Sequence, residues 1–538
     1  MQRIKLDNFR VFGFPAEFDL APVTVLTGKN NSGKSSLIKA FLILADYLEQ
    51  DDQTVLRLDG PRALRHKISG FDFLKNWEGS NLRVQLGYSL GQYQFEFEFG
   101  PHPESANLAM LNRFRMVAEA LDEDLVLERV SASDNTMILL ARQSFIDFIV
   151  SEEVYLAERS LEAQREAQEQ RERLAKIEGE IEKRRAEFEK NPDLARHQAV
   201  ASAFAELNTR REDALKRIRQ FEEYATIGKT RDKGIVYHAE VELSKVLPGS
   251  STLSRIIQQA LISYVEADNT RKVKYFKFRY EEQLRSLVRF EQELALLMRF
   301  SSAHLGPNRT YQARLYFNQQ AGSEIAAVVE SFIHNGIRYR SEADKFLRRW
   351  LPQFNVGDSV NVEQVEGMAF KIAVSRKTTR QPVNLADLGF GAGQVLTILL
   401  QIASIIQQQK EQQQFSKQAA ARQVVMLIEE PEANLHPRLQ SLLAQMFAET
   451  ANEYGLHFVI ESHSEYLIRK LQLLVATEAC AAAKVLVYYL DQDMGHRRIT
   501  ILPDGKLSEA FGSGFFDEAD ESAMHLFRAQ KKAARTQS

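Results

Sequence analysis

Residues 28–35 read Gly-Lys-Asn-Asn-Ser-Gly-Lys-Ser, and this stretch predicts the fold around it. The residues fit the pattern G-x-x-x-x-G-K-[ST], in which a turn of glycine and small residues aims backbone N–H groups at phosphates. An apolar, β-branched run precedes the turn at residues 22–27, and a helix-forming run follows at residues 36–42. In a strand–loop–helix arrangement of this kind an anion lies at the N-terminus of the helix. The stretch therefore predicts a nucleotide-binding α/β domain.

The predicted phosphate loop assigns a role to the residues within it. Lys34 is expected to reach the β- and γ-phosphates of ATP, and the hydroxyl of Ser35 is expected to bind Mg²⁺. The remaining predicted nucleotide contacts are Gly28, Asn30, Asn31, Ser32, Gly33 and Ser36. The alternative is a chance match, which residue frequencies put at roughly 2% for a chain of this length. We therefore predict ATP and Mg²⁺ as the cofactors.

A second stretch supplies acids. Residues 424–428 are five apolar residues, and Glu429 and Glu430 follow them directly. This pattern predicts a buried parallel strand that delivers two carboxylates at its C-terminal edge. Glu429 would then hold Mg²⁺, and Glu430 would orient and deprotonate the attacking water. The alternative, an ordinary acidic strand end, is the weaker interpretation in a chain that also carries a phosphate loop.

Another apolar strand, at residues 456–460, leads to His463. A histidine in this position could hydrogen-bond an oxygen of the γ-phosphate and so report whether ATP is intact. A lone histidine at a strand end is more often structural, but the order and spacing after the acid pair favour the functional interpretation. We therefore predict Glu430 and His463 as the catalytic residues.

The composition limits the class of protein. A chain of 538 residues is long for one core, so two or three domains are expected. A net charge of −3 gives no general attraction for nucleic acid, so such binding would need a local patch. Cys480 is the only cysteine, which excludes an internal disulfide. With no apparent signal peptide and no apolar run near ~20 residues, we expect a soluble cytoplasmic protein without a membrane partner.

Composition and periodicity divide the chain into four predicted segments. Residues 1–150 mix strands and helices, carry the phosphate loop and include runs of period two at residues 84–88 and 93–99. Residues 151–226 form an insertion, residues 227–336 are mainly helical, and residues 337–538 contain the acid pair and His463. The last segment alternates strands and helices, as a nucleotide-binding half does.

The insertion at residues 151–226 predicts an antiparallel coiled-coil hairpin. Heptad spacing before residues 191–193 (Asn-Pro-Asp), where proline ends the helix, is shown by Leu174, Ile177, Ile181 and Phe188. Apolar residues at the same spacing follow the turn: Val200, Phe204, Leu207, Ala214, Ile218 and Phe221. The alternative is an ordinary helical pair packed on the body, because polar residues also occupy core positions. These are Ser160, Gln170, Arg184 and Arg211.

Together these motifs resemble the ABC-type ATPases related to SMC and RecF proteins, and more narrowly the OLD-like bacterial ATPases that are classed as AAA-type. The resemblance rests on Phe9 and the phosphate loop, and on three further stretches. They are residues 304–309 (His-Leu-Gly-Pro-Asn-Arg), 429–437 (Glu-Glu-Pro-Glu-Ala-Asn-Leu-His-Pro) and 512–518 (Gly-Ser-Gly-Phe-Phe-Asp-Glu). It implies an ABC-type ATPase head with a mixed N-terminal lobe, a parallel α/β C-terminal lobe and a coiled-coil hairpin insertion.

In ABC-type ATPases the active site is shared, because the phosphate loop of one subunit faces a signature segment of another. The matching segment here is residues 384–394, at the start of an apolar helix. The resemblance implies that four of its residues contact the nucleotide of a second subunit in a homodimer or higher even oligomer: Gly389, Gly391, Gly393 and Gln394. The family usually carries serine near Gly393. Losing one charge-assisted hydrogen bond costs about 1.5–3 kcal/mol, so we expect slow hydrolysis.

The resemblance also bears on what the ATPase serves. OLD-type nucleases carry a metal-binding Toprim domain after the ATPase, whereas here only residues 464–538 follow His463. The one candidate pair of metal-binding acids among them, Asp491 and Asp493, reads as a turn at a strand end. We therefore expect no intrinsic nuclease and a separate effector protein, a nuclease or a toxin. Stand-alone ATPases of this kind resemble the ATPase subunits of anti-phage systems such as Septu, retron-associated Septu-like modules and PARIS.

Different classes of function are left open. In the first, the chain is an ATP-dependent sensor and scaffold that controls an effector, with DNA or a phage component as a possible trigger. In the second, it is a DNA-repair ATPase of the RecF or SMC kind that binds DNA directly through residues 271–279, where bases alternate with aromatic residues. A charged helix face of this kind is usually only solvated. A third interpretation is an ATP-binding scaffold that never hydrolyses.

Overall fold

The computed structural model describes residues 1–60, 63–91, 93–118, 123–131, 136–142, 154–190, 198–226, 236–243, 252–269, 276–307, 313–317, 324–366, 368–377, 381–415, 424–491, 495–512 and 515–536. The strands, in chain order, are β1 (Arg3–Asp7), β2 (Ala16–Asp19), β3 (Val23–Gly28), β4 (Val55–Arg57), β5 (Val84–Leu90), β6 (Tyr93–Pro101), β7 (Leu108–Ala118), β8 (Glu123–Arg129), β9 (Thr136–Arg142), β10 (Val236–Glu242), β11 (Ser301–Leu305), β12 (Tyr316–Phe317), β13 (Ser359–Val365), β14 (Ala369–Ser375), β15 (Val383–Asn384), β16 (Val424–Glu429), β17 (His457–Glu461), β18 (Val485–Asp491) and β19 (Gly495–Thr500). The helices are α1 (Lys34–Leu48), α2 (Ala63–His66), α3 (Phe71–Leu74), α4 (Val154–Lys190), α5 (Gln198–Thr226), α6 (Leu253–Asn269), α7 (Phe276–Met298), α8 (Glu324–His334), α9 (Glu342–Gln353), α10 (Phe390–Phe415), α11 (Pro437–Tyr454), α12 (Glu465–Ala476) and α13 (Glu518–Thr536).

The chain divides into two compact units. The first contains Met1–Gly91, Glu96–Leu111 and Leu297–Ser538, and the second contains Gln92–Phe95 and Asn112–Leu296. The boundaries of these two units differ from those of the four segments that composition predicts. The first unit joins distant stretches because β3 pairs with β17 and β18, which lie far along the chain.

A mainly parallel sheet forms the centre of the first unit, with the strand order β11-β16-β17-β3-β18-β19. The first five strands are parallel, and β19, the outermost strand, pairs antiparallel with β18. All six residues of β3 are buried, as is typical of strands in the middle of a parallel sheet. This sheet confirms the predicted α/β class. Because the carboxyl ends of parallel strands meet at one edge, the sheet brings Gly28, Glu429 and Glu461 to the same edge.

Helices that follow the parallel strands have recognisable starts. Pro437 occupies the first turn of α11, and the ring of His436 accepts a hydrogen bond from the N–H of Arg438. The side chain of Ser464 caps α12 by accepting from the N–H of Leu467. These caps set where each helix begins after its strand.

The helix α10 is apolar over most of its length. Its stretch Phe390–Gln412 is long and apolar enough to cross a membrane, although no continuous apolar run approaches that length. Scattered polar residues interrupt the run without making the helix polar. Of the apolar window in this stretch, 78% is buried inside the protein. Its residues Leu396, Leu399 and Ile402 belong to the hydrophobic core. This burial is the behaviour of a core helix.

Antiparallel strands complete the first unit. β1 pairs with β2 and with β5, and the short β4 pairs with β7. A small separate sheet has the order β12-β14-β13, with β15 also paired to β14. The period-two runs at residues 84–88 and 93–99 are confirmed as strands β5 and β6.

The second unit combines antiparallel strands with long helices. β8 pairs with β7 and β9, and β9 pairs with β10. The helices α4 and α5 are 37 and 29 residues long and pack on each other. Of the predicted seam residues, Ile181, Leu207, Ala214 and Ile218 are buried. The predicted proline turn at residues 191–193 and the basic residues 271–275 lie outside the described residues, as do the side chains of residues 276–279.

Candidate nucleotide-binding site

The phosphate loop joins β3 to α1, as the sequence predicts. Gly28 ends the strand with φ 127°, and a Cβ added there would collide with the backbone carbonyl of Leu490. Gly33 stands directly before α1 with φ 107°, and an added Cβ would lie 2.7 Å from Cγ2 of Val11. A side chain at either position would meet both an unfavourable backbone conformation and a clash. The geometry of the loop therefore requires both glycines.

Lys34 lies inside this loop. It is 4% exposed, and its Nζ donates hydrogen bonds to the carbonyl oxygens of Gly28, at 3.0 Å, and Lys29, at 2.7 Å. Burial lowers the pKa of Lys34, while the carboxylates of Glu461 and Glu430 oppose that shift. The ammonium is therefore held at the centre of the turn, close to both acids. From this position it can exchange its carbonyl partners for phosphate oxygens.

Of the three predicted loop residues between Lys29 and Gly33, two are exposed and one is buried. Asn30 and Asn31 are exposed, and Asn31 adopts a positive φ of 60°. Ser32 is buried, and its hydroxyl donates to the carbonyl of Lys29 at 2.7 Å. That hydrogen bond closes the loop internally. The two asparagines face solvent, where a nucleotide can contact them.

Arg10 is a cation at the loop that the motifs did not identify. Its Nε donates to the hydroxyl of Ser36 at 3.1 Å, and burial lowers its pKa. Arg10 follows Phe9, the aromatic residue that the family resemblance had singled out, and Phe9 is fully buried. The stretch around Phe9 therefore places the guanidinium of Arg10 beside the start of α1.

Asp491 also serves the phosphate loop. It ends β18 beside β3, and its buried carboxylate forms an ion pair with Lys29 at 3.0 Å. The sequence predicts that Asp491 and Asp493 mark a turn at the end of a strand. Asp491 is the last residue of the buried strand β18, and Asp493 lies outside the described residues.

Glu429 ends β16 at the same edge of the sheet, as predicted. Its Oε1 lies 2.7 Å from Nε2 of His304, on the neighbouring strand β11. His304 belongs to residues 304–309, one of the stretches on which the family resemblance rests, and residues 308–309 lie outside the described residues. The contact gives His304 a physical role, since it holds the carboxylate of Glu429 in one orientation.

Glu430 and His463 stand close to Lys34. Glu430 has a positive φ of 45°, and its N–H donates to the carbonyl of Glu461 at 2.8 Å. Partial burial and the charge of Lys34 lower the pKa of His463, and Glu430 opposes this shift. The N–H of His463 donates to Glu432 at 2.6 Å. The structure thus brings the predicted base, the predicted histidine and the loop lysine together.

Glu461 is an acid of this site to which sequence reasoning assigned no role. It ends β17, and the hydroxyl of Ser35 donates to both of its carboxylate oxygens, at 2.9 Å and 3.2 Å. Burial raises the pKa of Glu461 to about 7, with the Ser35 hydrogen bond opposing the rise and Glu429 adding to it. The available signal was an acid two positions before His463, at the end of an apolar strand.

The oxygen groups at this edge suit Mg²⁺. Ser35 supplies a hydroxyl and Glu429 a carboxylate, which are the hard donors that Mg²⁺ prefers, and the carboxylate of Glu461 lies beside Ser35. Among the residues that the structure describes, no group of three His, Cys, Asp or Glu could hold a metal ion. A site of this kind binds Mg²⁺ through one or two carboxylates together with phosphate oxygens of the substrate. The residues therefore fit a cation that is bound with a nucleotide.

The signature segment lies at the start of α10. Gly389 is exposed and a Cβ there would meet no atom within 4 Å, whereas a Cβ on Gly391 would lie 3.0 Å from the carbonyl oxygen of Asn434. Gly393 accepts a hydrogen bond from the hydroxyl of Thr397 at 2.9 Å. Gln394 is only 2% exposed. Gly389 is therefore open to a second molecule, while Gln394 faces the interior of its own chain.

The strand–loop–helix, the acids at the adjacent strand ends and the buried lysine define a phosphate-loop ATPase. A model of the AAA ATPase domain family AAA_15 matches residues 1–468. The chain belongs to this family, which implies ATP as its ligand and ATP hydrolysis as its activity. No curated protein matches the chain.

Solved structures similar to this chain include SMC head domains. One from Pyrococcus furiosus, with an extended coiled coil and bound to the C-terminal domain of ScpA, is 11% identical, with 98% of this chain and 99% of that chain covered and a TM-score of 0.31. One from Pyrococcus yayanosii, with a coiled coil and joint, is 12% identical over 94% and 97%, with a TM-score of 0.31. One from Thermotoga maritima is 10% identical over 93% and 98%, with a TM-score of 0.30. The family assignment rests on the domain match.

Proposed function

We propose that this chain is a slowly hydrolysing ABC-type ATPase that dimerises around ATP and controls a separate nuclease or toxin in bacterial anti-phage defence. The observation that carries the ATPase part is the cluster at the carboxyl edge of the parallel sheet. It comprises Lys34, Ser35, Glu429, Glu430 and His463. Ser35 and Glu429 would hold Mg²⁺, Glu430 would take the proton of the attacking water, and His463 would contact the γ-phosphate.

An ATP-dependent dimer is supported by the exposed start of α10. Gly389 is open, and Phe390 beside it is 46% exposed. A helix N-terminus presents backbone N–H groups and a partial positive charge, which attract phosphate. The γ-phosphate of a second subunit's ATP would bind there, so two copies would enclose two nucleotides. Slow turnover follows from Gly393, which offers no hydroxyl to that phosphate.

A separate effector is supported by the position of Asp491. A metal-dependent nuclease needs acids that are free to bind cations. Asp491 is buried and ion-paired with Lys29, so its carboxylate is committed to the phosphate loop. We therefore assign the cutting or toxic activity to a second protein in the cytoplasm.

We further propose that α4 and α5 form the predicted coiled-coil hairpin and recognise the effector or the trigger. At 1.5 Å per residue, helices of 37 and 29 residues extend about 55 Å and about 43 Å. Their buried residues include Ile181 and Leu207, and an ion pair joins Glu178 to Arg211 at 3.2 Å. A long helical pair of this kind offers much surface beyond what it buries.

The test uses the full chain, alone and with the protein encoded beside it. Purified alone with Mg²⁺ or Mn²⁺, the chain should hydrolyse ATP slowly and leave DNA and RNA intact. In cells, protection against phage should require the neighbouring gene and should be lost in Lys34→Ala. The exposed Lys377→Ala serves as the matched control and should protect normally. Metal-dependent cleavage by the isolated chain, lost in Asp493→Ala, would contradict the proposal.

The alternative is a RecF- or SMC-like repair ATPase that binds DNA directly. It depends on residues 271–279, whose side chains lie outside the described part of the chain. Tight, ATP-dependent DNA binding by the purified chain without an effector would favour this alternative.

A further inference from the structure

Glu461 is a buried acid at the phosphate loop to which the ATPase motifs assign no role. It ends β17, the strand between β16 and β3, and its Cα neighbours are Glu429 on one side and Leu26 on the other. It is 6% exposed. A carboxylate this buried needs a partner, because an unpaired charge is costly away from water. The partner is Ser35, the loop hydroxyl to which the sequence assigned Mg²⁺.

The hydrogen bond determines how Ser35 is oriented. A hydroxyl has one proton and two lone pairs. The two carboxylate oxygens of Glu461 lie 2.9 Å and 3.2 Å from Ser35 Oγ, so the single proton points toward Glu461. The lone pairs of Oγ are then directed away from Glu461. In that orientation the oxygen can only accept, as a ligand to a cation must.

Glu461 also places a second carboxylate beside that of Glu429. Glu429 and Glu461 are paired in register on adjacent parallel strands, which lie about 4.8 Å apart. Residues paired in this way project to the same face of the sheet. His304 keeps Glu429 in place, and Ser35 keeps Glu461 in place. Two carboxylates are thus held close together, and a divalent cation relieves their repulsion.

We propose that Glu461 is a positioning residue for the divalent cation of the nucleotide site: it orients the hydroxyl of Ser35 and adds a second negative charge beside Glu429. The inference rests on the proposed function, because the cation is expected to bind with ATP. Partners that orient a metal ligand typically contribute 10- to 100-fold to metal affinity. Loss of the Glu461 charge should therefore lower the affinity of the site for the cation and leave the phosphate loop intact.

The test measures cation dependence separately from turnover. Binding of a fluorescent, non-hydrolysable ATP analogue is followed as Mg²⁺ is raised from zero, for the full chain and two variants. Glu461→Gln keeps an acceptor for Ser35 and removes the charge, whereas Glu461→Ala removes both. The Mg²⁺ concentration at half-saturation should rise about 10-fold in the first and about 100-fold in the second. Without Mg²⁺, both variants should bind the analogue at least as well as the wild type, since a negative charge near the phosphates is gone.

A matched control and a direct readout complete the design. Glu453→Gln makes the same charge change at a glutamate that is 47% exposed on α11, and its Mg²⁺ curve should match the wild type. Electron paramagnetic resonance measures how much Mn²⁺ is bound in the presence of the analogue. It should rank the cation affinities of the wild type and the variants in the same order. Circular dichroism checks folding. If Glu461→Gln does not fold, Glu461→Asp takes its place. The shorter side chain keeps the charge but withdraws the acceptor from Ser35. The Mg²⁺ concentration at half-saturation should then rise by an intermediate amount.

The outcomes separate the inference from the proposed function. Mg²⁺ curves of both folded variants within about twofold of the wild type would overturn the role of Glu461. A wild-type chain that binds no nucleotide at any Mg²⁺ concentration would instead contradict the nucleotide site itself. A shift of similar size in Glu453→Gln would show that the effect is general electrostatics, and it would also overturn the proposal.

Discussion

A charge placed at Gly389 should prevent ATP-dependent dimerisation. Gly389 is the suitable position because an added side chain meets no atom within 4 Å. At Gly391 an added Cβ would already lie 3.0 Å from the carbonyl oxygen of Asn434 and 3.0 Å from Leu435, so any substitution would also disturb its own subunit. Overpacking of that kind costs about 1–3 kcal/mol in stability and would confuse the result.

The expected magnitude for Gly389→Glu follows from Coulomb's law. A carboxylate about 5 Å from one γ-phosphate charge, at an effective dielectric constant of about 20, costs roughly 3 kcal/mol at each site. This weakens association roughly 100- to 300-fold for each site. Gly389→Gln has the same size without the charge and therefore measures the steric part alone. ATP affinity of the monomer should stay unchanged in both variants.

Sedimentation velocity with a non-hydrolysable ATP analogue provides the measurement. The wild type should form dimers with the analogue, Gly389→Gln should form fewer, and Gly389→Glu should remain monomeric. Raising the salt concentration should narrow the difference between the two variants, because salt screens an exposed charge. If Gly389→Glu dimerises as well as the wild type, the γ-phosphate does not bind at the start of α10, and the shared site is wrong.

Three further predictions concern the residues around the nucleotide. Lys34→Ala should abolish ATP binding because the phosphates lose their main cation, whereas Glu430→Gln should keep ATP bound and trap the closed dimer; equal nucleotide retention in the two would contradict these roles. His304→Ala should slow ATP turnover about 10- to 100-fold with ATP affinity nearly kept, because Glu429 loses the contact that orients it, and His304→Gln should recover part of the rate. Deleting residues 160–218 with a short bridge should leave ATP binding intact in a filter-binding assay, since the deleted parts of α4 and α5 belong to the second unit. Under the proposed function the deletion should abolish phage protection in cells, whereas loss of ATP binding would show that α4 and α5 support the nucleotide site.

The phosphate loop could be predicted from the sequence because its signal is local. The glycines, Lys34 and Ser35 are neighbours in the chain, and the same few residues form the turn and are the predicted ligand contacts. Glu429 could be predicted for a related reason. An apolar strand that ends in acids must deliver them at the carboxyl edge, wherever that strand lies in the sheet.

The partners of these residues depend on strand order, which a local pattern does not encode. Glu461 contacts Ser35 because β17 lies between β16 and β3, and His304 contacts Glu429 because β11 pairs with β16. Asp491 reaches Lys29 for the same reason, through β18. The amino-acid sequence by itself predicted the phosphate loop and the acids at the end of β16. Only the packing of the sheet decided which buried carboxylates stand beside them, because hydrogen bonds between strands join residues hundreds of positions apart.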